Sequence, residues 1–156
     1  MQIRKAESRD IPGMIELLKQ VGQVHHEIRP DIFRAGAQKY TPADLEAILK
    51  DPARPIFVAM KGGFVAGYCF CVHKDTQNDS VLADQKELYI DDLCVDEGCR
   101  GQGIAKALYA HTVEYAKQQG CDFITLNVWQ GNDSALRFYE NAGFTPRKTY
   151  MEVKLC

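Results

Sequence analysis

Residues 93–105 read Leu93-Cys94-Val95-Asp96-Glu97-Gly98-Cys99-Arg100-Gly101-Gln102-Gly103-Ile104-Ala105. An apolar strand here runs into a glycine-rich turn, and the turn opens directly into an amphipathic helix. Gly101 and Gly103 remove side chains where the backbone would have to approach a ligand closely. Because the first-turn amides of a helix have no partners within the helix, they favour an anion at this place. The stretch therefore predicts a phosphate site, with a pyrophosphate as the expected ligand.

Two common nucleotide-binding motifs have a similar glycine spacing, but the sequence does not match either of them. Gly98 and Gly103 have the spacing of a Walker A loop, yet Ile104 and Ala105 stand where that loop needs its lysine and its magnesium-binding hydroxyl. A Rossmann turn needs a third glycine where this chain has Lys106, and a strand-first chain order that this sequence also lacks. Both motifs are therefore excluded.

A second informative block lies towards the end of the chain. It reads Asn127-Val128 and then Asn132-Asp133-Ser134-Ala135-Leu136-Arg137-Phe138-Tyr139-Glu140-Asn141-Ala142-Gly143-Phe144. Together with residues 100–105, which fit the signature Arg/Gln-x-x-Gly-x-Gly/Ala, this block resembles the Gcn5-related N-acetyltransferase (GNAT) family. The two blocks cover roughly residues 87–145. Within the family, residues 88–95 look most like the diamine (spermidine/spermine-type) acetyltransferase branch.

The rest of the chain predicts strands and helices in mixed order. Strands are expected near Ile3 and at 56–60, 64–72, 87–95, 121–128 and 149–155. Helices are expected after the N-caps Ser8 and Thr41 and over 104–118 and 133–142. This order predicts an α/β fold with a mixed sheet. The resemblance implies a GNAT-like acyl-CoA N-acyltransferase fold, a central twisted sheet flanked by helices, with two parallel strands that splay apart.

Composition and charge limit the possible functions. The 156 residues, 46% of them hydrophobic and 26% charged, are typical of one globular domain, expected over residues 1–156. A net charge of −2 argues against a dedicated nucleic-acid binder. No apolar run is long enough to cross a bilayer, and the N-terminus lacks the apolar stretch of a signal peptide, so a cytoplasmic protein without a membrane partner is expected. No metal-ligand cluster or C-x-x-C pair occurs, and no metal is expected.

The resemblance implies that acetyl-CoA binds between strands 87–95 and 121–128. Leu93 and Val95 are then expected to offer backbone hydrogen bonds to the pantetheine arm. The pyrophosphate is expected at the turn, whose residues are Arg100, Gly101, Gln102, Gly103, Ile104, Ala105 and Lys106. On the other side of the cleft the family pattern selects Asn132 to bind near the pantetheine, with Ser134 and Ala135 along its path.

The transfer of an acetyl group to an amine requires a base, because an amine of pKa about 10.4 arrives as ammonium. A carboxylate in a partly desolvated cleft accepts that proton directly or through water. Asp91 is the first candidate for this role. Asp92 is the second, because successive residues of a strand face opposite ways. Glu87 shares the face of Asp91 and is a third choice.

Attack on the thioester also creates an oxyanion and releases a thiolate. A backbone N–H at Leu93 or Cys94 is expected to stabilise the oxyanion. For the thiolate, the family pattern points to Tyr139, since a tyrosine of pKa about 10 can donate a proton to a thiolate of pKa about 8.5. By helical spacing alone, Tyr139 lies with Phe138 and Ala142 on a face that is typical of core residues.

The resemblance and the acidic strand together indicate an N-acetyltransferase that acts by direct transfer in a ternary complex. A polyamine or another small primary amine is the first expected acceptor, and an acidic site would attract such a cation. A peptide N-terminus, a lysine side chain, an aminoglycoside and an amino acid stay open, as does a catalytically silent acyl-CoA-binding module. His25 and His26 lie where the family builds its acceptor wall. Because family members are often homodimers, a homodimer is expected.

Overall fold

The computed structural model describes all residues, 1–156. Five strands form one sheet in which the spatial order follows the chain order. Their bounds are β1 Gln2–Lys5, β2 Ile56–Lys61, β3 Phe64–Asp75, β4 Lys86–Val95 and β5 Phe123–Leu126. The strands β1 to β4 pair antiparallel, whereas β4 and β5 pair parallel. The predicted mixed sheet and the predicted fold class are therefore confirmed.

Four helices follow or precede these strands. They are α1 Ile11–Ile28, α2 Pro42–Leu49, α3 Ile104–Gln118 and α4 Asp133–Asn141. Three of them, α1, α2 and α3, pack on the two faces of the sheet. One buried cluster joins α1 and α2 to one face of the sheet, and a second joins α3 to the other. The expected start of α2 is confirmed, because the Thr41 hydroxyl accepts from the Asp44 N–H while the Asp44 carboxylate accepts from the Thr41 N–H. No helix is long and apolar enough to span a membrane.

The start of α1 differs from the prediction. Ser8 does not cap the helix but opens a short 3₁₀ turn, Ser8–Asp10, that precedes α1. The buried Asp10 carboxylate binds the Arg4 guanidinium at 2.7 Å and accepts from the Glu7 N–H at 2.8 Å. Asp10 thus fixes the chain as it leaves β1, since it completes a capping box with Glu7 and pairs with Arg4 of β1 itself.

The strand expected over residues 149–155 does not form. These residues have no regular secondary structure, and their large apolar side chains are exposed. The expected strand is wrong because a strand needs a neighbour to pair with its backbone N–H and C=O groups. No strand of the same chain supplies that neighbour.

Candidate active site

The two parallel strands of the sheet separate at their carboxyl ends. β4 and β5 pair from Glu87 opposite Phe123 to Ile90 opposite Leu126, where β5 ends. β4 continues unpaired on this side to Val95. The strands therefore enclose an open cleft along residues 91–95, at the sheet edge where the glycine-rich turn follows.

The direction of the backbone groups along β4 decides which of them face the cleft. The N–H of Asp96 donates to the carbonyl of Ala66, on the β3 side. Because backbone groups alternate between the two edges of a strand, those of Cys94 also point towards β3, and those of Leu93 and Val95 point into the cleft. The Cys94 thiol lies in the α1-side core, where burial raises its pKa to about 12. The geometry favours Leu93 over Cys94 for contact with a ligand.

The turn before α3 leaves room and free amides for an anion. Gly101 and Gly103 have φ of +78° and +79°, a conformation that disfavours other residues, and nothing lies within 4 Å of where their side chains would begin. Within α3 the N–H of Ala107 donates to the Gly103 carbonyl. The amides of residues 104–106 precede this bond and have no acceptor within the helix. They form the positive end of a 15-residue helix at the mouth of the cleft.

Helix α1 holds the start of this turn in place. The Asp96 carboxylate accepts from the Gly98 N–H at 3.0 Å and from Gln20 Nε2 at 2.9 Å. The same Gln20 side chain accepts from the Glu97 N–H at 3.1 Å. One glutamine of α1 thereby bonds two successive residues of the turn, so the amides that follow have a fixed position.

The residues predicted on the far wall lie on or next to α4. Asn132 caps this helix, with its side-chain oxygen 3.4 Å from the Ala135 N–H, so its amide nitrogen stays available to a ligand. Ser134 is exposed and Ala135 is half-buried in the first turn. The Asn132 side chain thus bonds a first-turn amide of α4, whereas the first-turn amides of α3 have no side-chain cap.

Tyr139 lies on α4 in an aromatic environment. Its ring meets those of Phe138 and Phe144 edge-on, with centroids 5.3 and 5.5 Å away. Burial raises the pKa of its hydroxyl well above the usual value, and the charge of the Asp92 carboxylate raises it further. Its hydroxyl therefore stays protonated at neutral pH.

A bulge in β4 brings both predicted carboxylates to the same face of the sheet. Phe70 faces Asp92 and Cys71 faces Ile90, so Asp91 has no partner on β3. The extra residue reverses the alternation along β4. The expectation that Asp91 and Asp92 face opposite ways is therefore wrong.

The packing on either side of the bulge confirms this reversal. Leu88 and Ile90 lie in the core beneath α3, whereas Cys94, also at an even position, lies in the core beneath α1. Asp91 binds the hydroxyl of Tyr40, whose ring stacks on Phe70 in the α1-side core.

Asp92 binds a buried tyrosine. It accepts a hydrogen bond from the Tyr68 hydroxyl at 2.6 Å. Burial raises the pKa of the Asp92 carboxyl to about 6, against the lowering effects of Tyr68 and Lys39, and the nearby charge of Asp91 adds to the rise. A carboxyl with this pKa is ionised at neutral pH and still basic enough to accept a proton from a bound amine.

Asp91 binds two residues of the segment between α1 and α2. Its carboxylate accepts from Lys39 Nζ at 2.8 Å and from the Tyr40 hydroxyl at 2.7 Å. The Tyr40 hydroxyl accepts in turn from Arg54 at 3.0 Å. Burial and the Asp91 carboxylate raise the pKa of Tyr40. Glu87, the third predicted base, binds Thr125 in the paired part of β4 and β5 instead.

Sequence reasoning missed the partners Lys39, Tyr40 and Tyr68. No local motif marks them, because each reaches its aspartate only through the strand pairing or the path of the α1–α2 segment. The predicted acceptor histidines lie nearby on α1. His25 stacks on Phe33, which meets Trp129 edge-on, so this aromatic group links the end of α1 to the chain that follows β5.

Comparison with known proteins agrees with this geometry. A model of the Acetyltransferase (GNAT) family matches residues 22–144. An uncharacterized N-acetyltransferase of Methanocaldococcus jannaschii is 30% identical over 101 residues, which make up 65% of this chain and 43% of that protein. The chain thus spans less than half the length of this curated relative.

Two solved structures share the fold. A mutant of the BH1408 protein from Bacillus halodurans is 30% identical with a TM-score of 0.95, and the match covers 100% of both chains. An aminoglycoside N-acetyltransferase in complex with CoA is 18% identical with a TM-score of 0.73, covering 99% of this chain and 100% of that chain. At that identity the second likeness concerns the fold alone.

Proposed function

Because the chain belongs to the GNAT family of acetyltransferases, we propose that it transfers an acetyl group from acetyl-CoA to a primary amine in a ternary complex. One observation carries the proposal: the free amides at the start of α3 and a pair of aspartates lie along the same open cleft of β4. The first suits a pyrophosphate, and the second suits an ammonium group that must lose a proton.

The cleft fits the shape and charge of acetyl-CoA. We assign the pyrophosphate to the amides of residues 101–106, with the Arg100 side chain near a phosphate. The inward-facing backbone groups of Leu93 and Val95 suit the amides of a pantetheine arm, which would extend β4 like a neighbouring strand. Asn132 holds the arm from the far wall, with Ser134 and Ala135 beside it. Bound there, acetyl-CoA supplies an activated acetyl group as a thioester.

We assign the general base to Asp92 rather than to Asp91. Asp92 combines a pKa of about 6 with Tyr68 as its side-chain partner, whereas Asp91 has two, so Asp92 is the freer of the two carboxylates to take the proton from the amine nitrogen. Asp91 already accepts bonds from Lys39 and Tyr40 and is better placed to bind the ammonium before it loses its proton. The Leu93 N–H faces the cleft and is assigned to the oxyanion.

Tyr139 is assigned to the departing thiolate. Its hydroxyl is protonated at neutral pH and has a proton to donate when the carbon–sulfur bond breaks. The proton taken up by Asp92 leaves to solvent and Tyr139 is reprotonated, which restores the starting state.

The Lys39–Asp91 ion pair supports a primary amine as acceptor. Lys39 carries a primary ammonium on a flexible stem, and that ammonium lies 2.8 Å from Asp91 at the point where β4 and β5 part. It acts as an internal analogue of the acceptor. Two neighbouring carboxylates favour a substrate with more than one positive charge, and we propose a small polyamine first. A peptide or lysine side chain is the alternative acceptor.

Calorimetric titration with acetyl-CoA tests the cofactor site. Binding is expected in the micromolar range and is expected to be lost in Gly103→Glu, which places bulk and negative charge at the free amides. Gly120→Glu is the matched control, because Gly120 has a similar φ of +72° and equally free space at the opposite end of α3. Binding that survives Gly103→Glu, or that is lost in both variants, would contradict the assigned site.

A thiol-release assay over a panel of amines tests the chemistry. Tyr139→Phe is expected to lower kcat at least about tenfold while leaving acetyl-CoA affinity nearly unchanged. Tyr150→Phe, on a fully exposed ring, is the control. Binding without turnover of any amine would instead identify a catalytically silent acyl-CoA-binding module.

We also propose that the protein acts as a homodimer, as the resemblance implies. Support comes from its uneven burial, since none of its buried residues lies beyond Ala116. A cytoplasmic location stays a prediction.

A further inference from the structure

One side chain of this protein places a primary ammonium in the proposed acceptor site. Lys39 Nζ lies 2.8 Å from the carboxylate of Asp91, the first residue of β4 beyond its paired part with β5. Two other lysines form ion pairs, but they bind Glu16 and Glu114 on their own helices. Lys39 is therefore the one lysine whose ammonium binds a carboxylate of the cleft.

The backbone on both sides of Lys39 is anchored. Tyr40, the next residue, packs against the α1-side core, and its hydroxyl donates to the same Asp91 carboxylate at 2.7 Å. On the other side, the Ala37 carbonyl packs so closely on Gly22 of α1 that no side chain would fit there. These two contacts keep the backbone of Lys39 beside Asp91.

The Lys39 side chain is held less firmly than its backbone. It is 46% exposed, and its ammonium contacts the Asp91 carboxylate and the face of the Tyr40 ring, whose centre lies 5.7 Å from Nζ. An ion pair this exposed adds little stability, so the ammonium leaves the carboxylate at small cost. A flexible stem on a fixed backbone allows the amine to reach a bound thioester and to return.

The proposed binding mode of acetyl-CoA brings the thioester to the same place. The pyrophosphate is assigned to the turn before α3, and the pantetheine arm to Val95 and Leu93, which are successive cleft-facing residues. Acetyl-CoA carries its thioester at the end of this arm that is remote from the pyrophosphate. Continued along β4, the arm ends beside Asp91 and Asp92, where Lys39 Nζ lies.

We propose that the protein acetylates its own Lys39 from bound acetyl-CoA, within one chain. This inference rests on the acetyl transfer proposed above. The Lys39 ammonium gives one proton to Asp92, and the freed amine nitrogen attacks the carbonyl carbon of the thioester. A nitrogen–carbon bond forms, the carbon–sulfur bond breaks, and the departing thiolate takes a proton from Tyr139. A second proton leaves the nitrogen and restores Tyr139, while the proton on Asp92 leaves to solvent. The products are CoA and an uncharged N-acetyl-lysine.

Acetylation of Lys39 changes the charge of the acceptor site. The unmodified ammonium neutralises one of two adjacent carboxylates, and it competes with any ammonium group that an external amine presents to Asp91. Once acetylated, the side chain has no charge, and Asp91 keeps the Tyr40 hydroxyl as its partner. The modified protein is therefore expected to bind cationic amines more tightly than the unmodified protein.

Peptide mapping by mass spectrometry tests the modification. The native chain is incubated with acetyl-CoA without any amine, and Lys39 is expected to be acetylated at least about 100-fold faster than Lys19. Lys19 is the matched control within the chain, because it is similarly exposed and pairs with Glu16 on α1 at 3.5 Å. The time course at Lys39 should not change when the protein is diluted, because the base and the acetylated nitrogen lie in one chain.

Two variants separate catalysed from uncatalysed acetylation. Asp92→Asn removes the assigned base and is expected to slow acetylation of Lys39 at least about tenfold, with no change at Lys19. Lys39→Arg keeps the charge but removes the acetylated nitrogen, and the intact chain should then gain no acetyl group on this time scale. A native chain that is isolated with Lys39 acetylated, beside an Asp92→Asn chain that is not, would be equivalent support.

The outcomes distinguish this inference from the proposed function. Acetylation of Lys39 that is no faster than that of Lys19, or equally fast in Asp92→Asn, would overturn the inference. If external amines are acetylated in the thiol-release assay and Lys39 is not, the inference fails and the proposed function stands. If neither Lys39 nor any amine is acetylated, both fail.

Amine binding in the absence of acetyl-CoA tests the charge effect separately. Lys39→Gln is uncharged like acetyl-lysine, and it is expected to bind diaminobutane at least about tenfold more tightly than Lys39→Arg in calorimetric titration. Lys19→Gln changes the net charge equally and should bind the diamine as the native chain does. Equal affinities of Lys39→Gln and Lys39→Arg would overturn the assignment of Lys39 to the acceptor site, on which the inference depends.

Discussion

The chain up to Ala116 and the chain after it are built differently. All 27 buried residues belong to the first part, where two cores lie on the two faces of the sheet. The second part contains β5 and α4, which carry apolar side chains but bury none. The difference indicates that the first part is stable by its own packing, whereas the second depends on its junction with β4.

Helices α3 and α4 show the same contrast at the cleft. Each starts at the open end of one of the two parallel strands. α3 buries four residues and begins at a glycine without a side-chain cap, so its first amides are free. α4 buries none, and Asn132 caps it. The rigid helix therefore offers the anion site, while the less buried helix carries Tyr139 and forms the other wall.

The largest expected effect compares two leucines on these two helices. Leu108→Ala, in the core beneath α3, is expected to lower the free energy of unfolding by about 2–5 kcal/mol. Leu136→Ala, on α4 and 42% exposed, is expected to change it by no more than about 0.5 kcal/mol. Urea unfolding at low protein concentration measures both. Equal losses of unfolding free energy in the two variants would contradict the difference in packing between the two parts of the chain.

The second expected effect concerns the charge that the first part buries at Asp92. Its carboxyl has a pKa of about 6 in the folded chain against an ordinary value of 3.8, so the folded state binds more protons between these pH values. Stability therefore falls as pH rises through this window, and the loss is complete above pH 6. Asp92→Asn removes the charge and is expected to raise the free energy of unfolding at neutral pH by roughly 1–3 kcal/mol.

The same variant has an internal control. At a pH below 3.8, where the carboxyl is protonated in both states, the stability gain of Asp92→Asn should disappear. Its turnover at neutral pH is expected to fall by about 100-fold or more. A variant that is less stable than the native chain at neutral pH would contradict the cost assigned to this buried charge.

A third effect follows from the hydrogen bond between Tyr68 and Asp92. In the native chain kcat/KM is expected to fall as pH drops through about 6, as the base becomes protonated. The Tyr68 hydroxyl lowers the pKa of Asp92, so Tyr68→Phe is expected to move this acid limb to higher pH. Tyr40→Phe, which removes a partner of Asp91 instead, should move it less. A larger shift in Tyr40→Phe than in Tyr68→Phe would argue for Asp91 as the base.

The smallest effect is expected at the ion pair between Glu152 and Arg29, the residue that follows α1. The Arg29 guanidinium binds Glu152 at 2.5 Å, but Arg29 also binds Asp31 and both carboxylates are exposed. Glu152→Gln is expected to leave the midpoint of urea unfolding unchanged within error. A clear loss would show that this contact holds residues 149–155 against the rest of the chain.

The local sequence predicted the parts of the site that depend on local chemistry. Gly101 and Gly103 indicated a glycine-rich turn, which the structure forms with left-handed backbone at both positions, and the pattern after them predicted the limits of α3 as the structure has them. Thr41 and Asp44 predicted the start of α2 in the same way. The family resemblance added Asn132 and Tyr139, which no periodicity would have selected as functional.

Strand pairing decided what the local pattern could not. Alternation along β4 assigns Asp91 and Asp92 to opposite faces, and only the bulge against Phe70 and Cys71 turns both towards α1. The partners Lys39 and Tyr68 likewise arrive from 52 and 24 residues away. Such contacts are absent from any local window, because a register shift of one residue reverses every side chain beyond it.

The contrast between α3 and residues 149–155 shows which structural features the sequence by itself determined. For α3, a helical stripe, a glycine start and a glycine end were enough, since a helix satisfies its backbone groups within its own segment. For residues 149–155 an equally clear period-two pattern was not enough, since a strand must find its backbone partners on another segment. The sequence determined which segments are able to form strands, and the tertiary structure decided which of them have a neighbour to pair with.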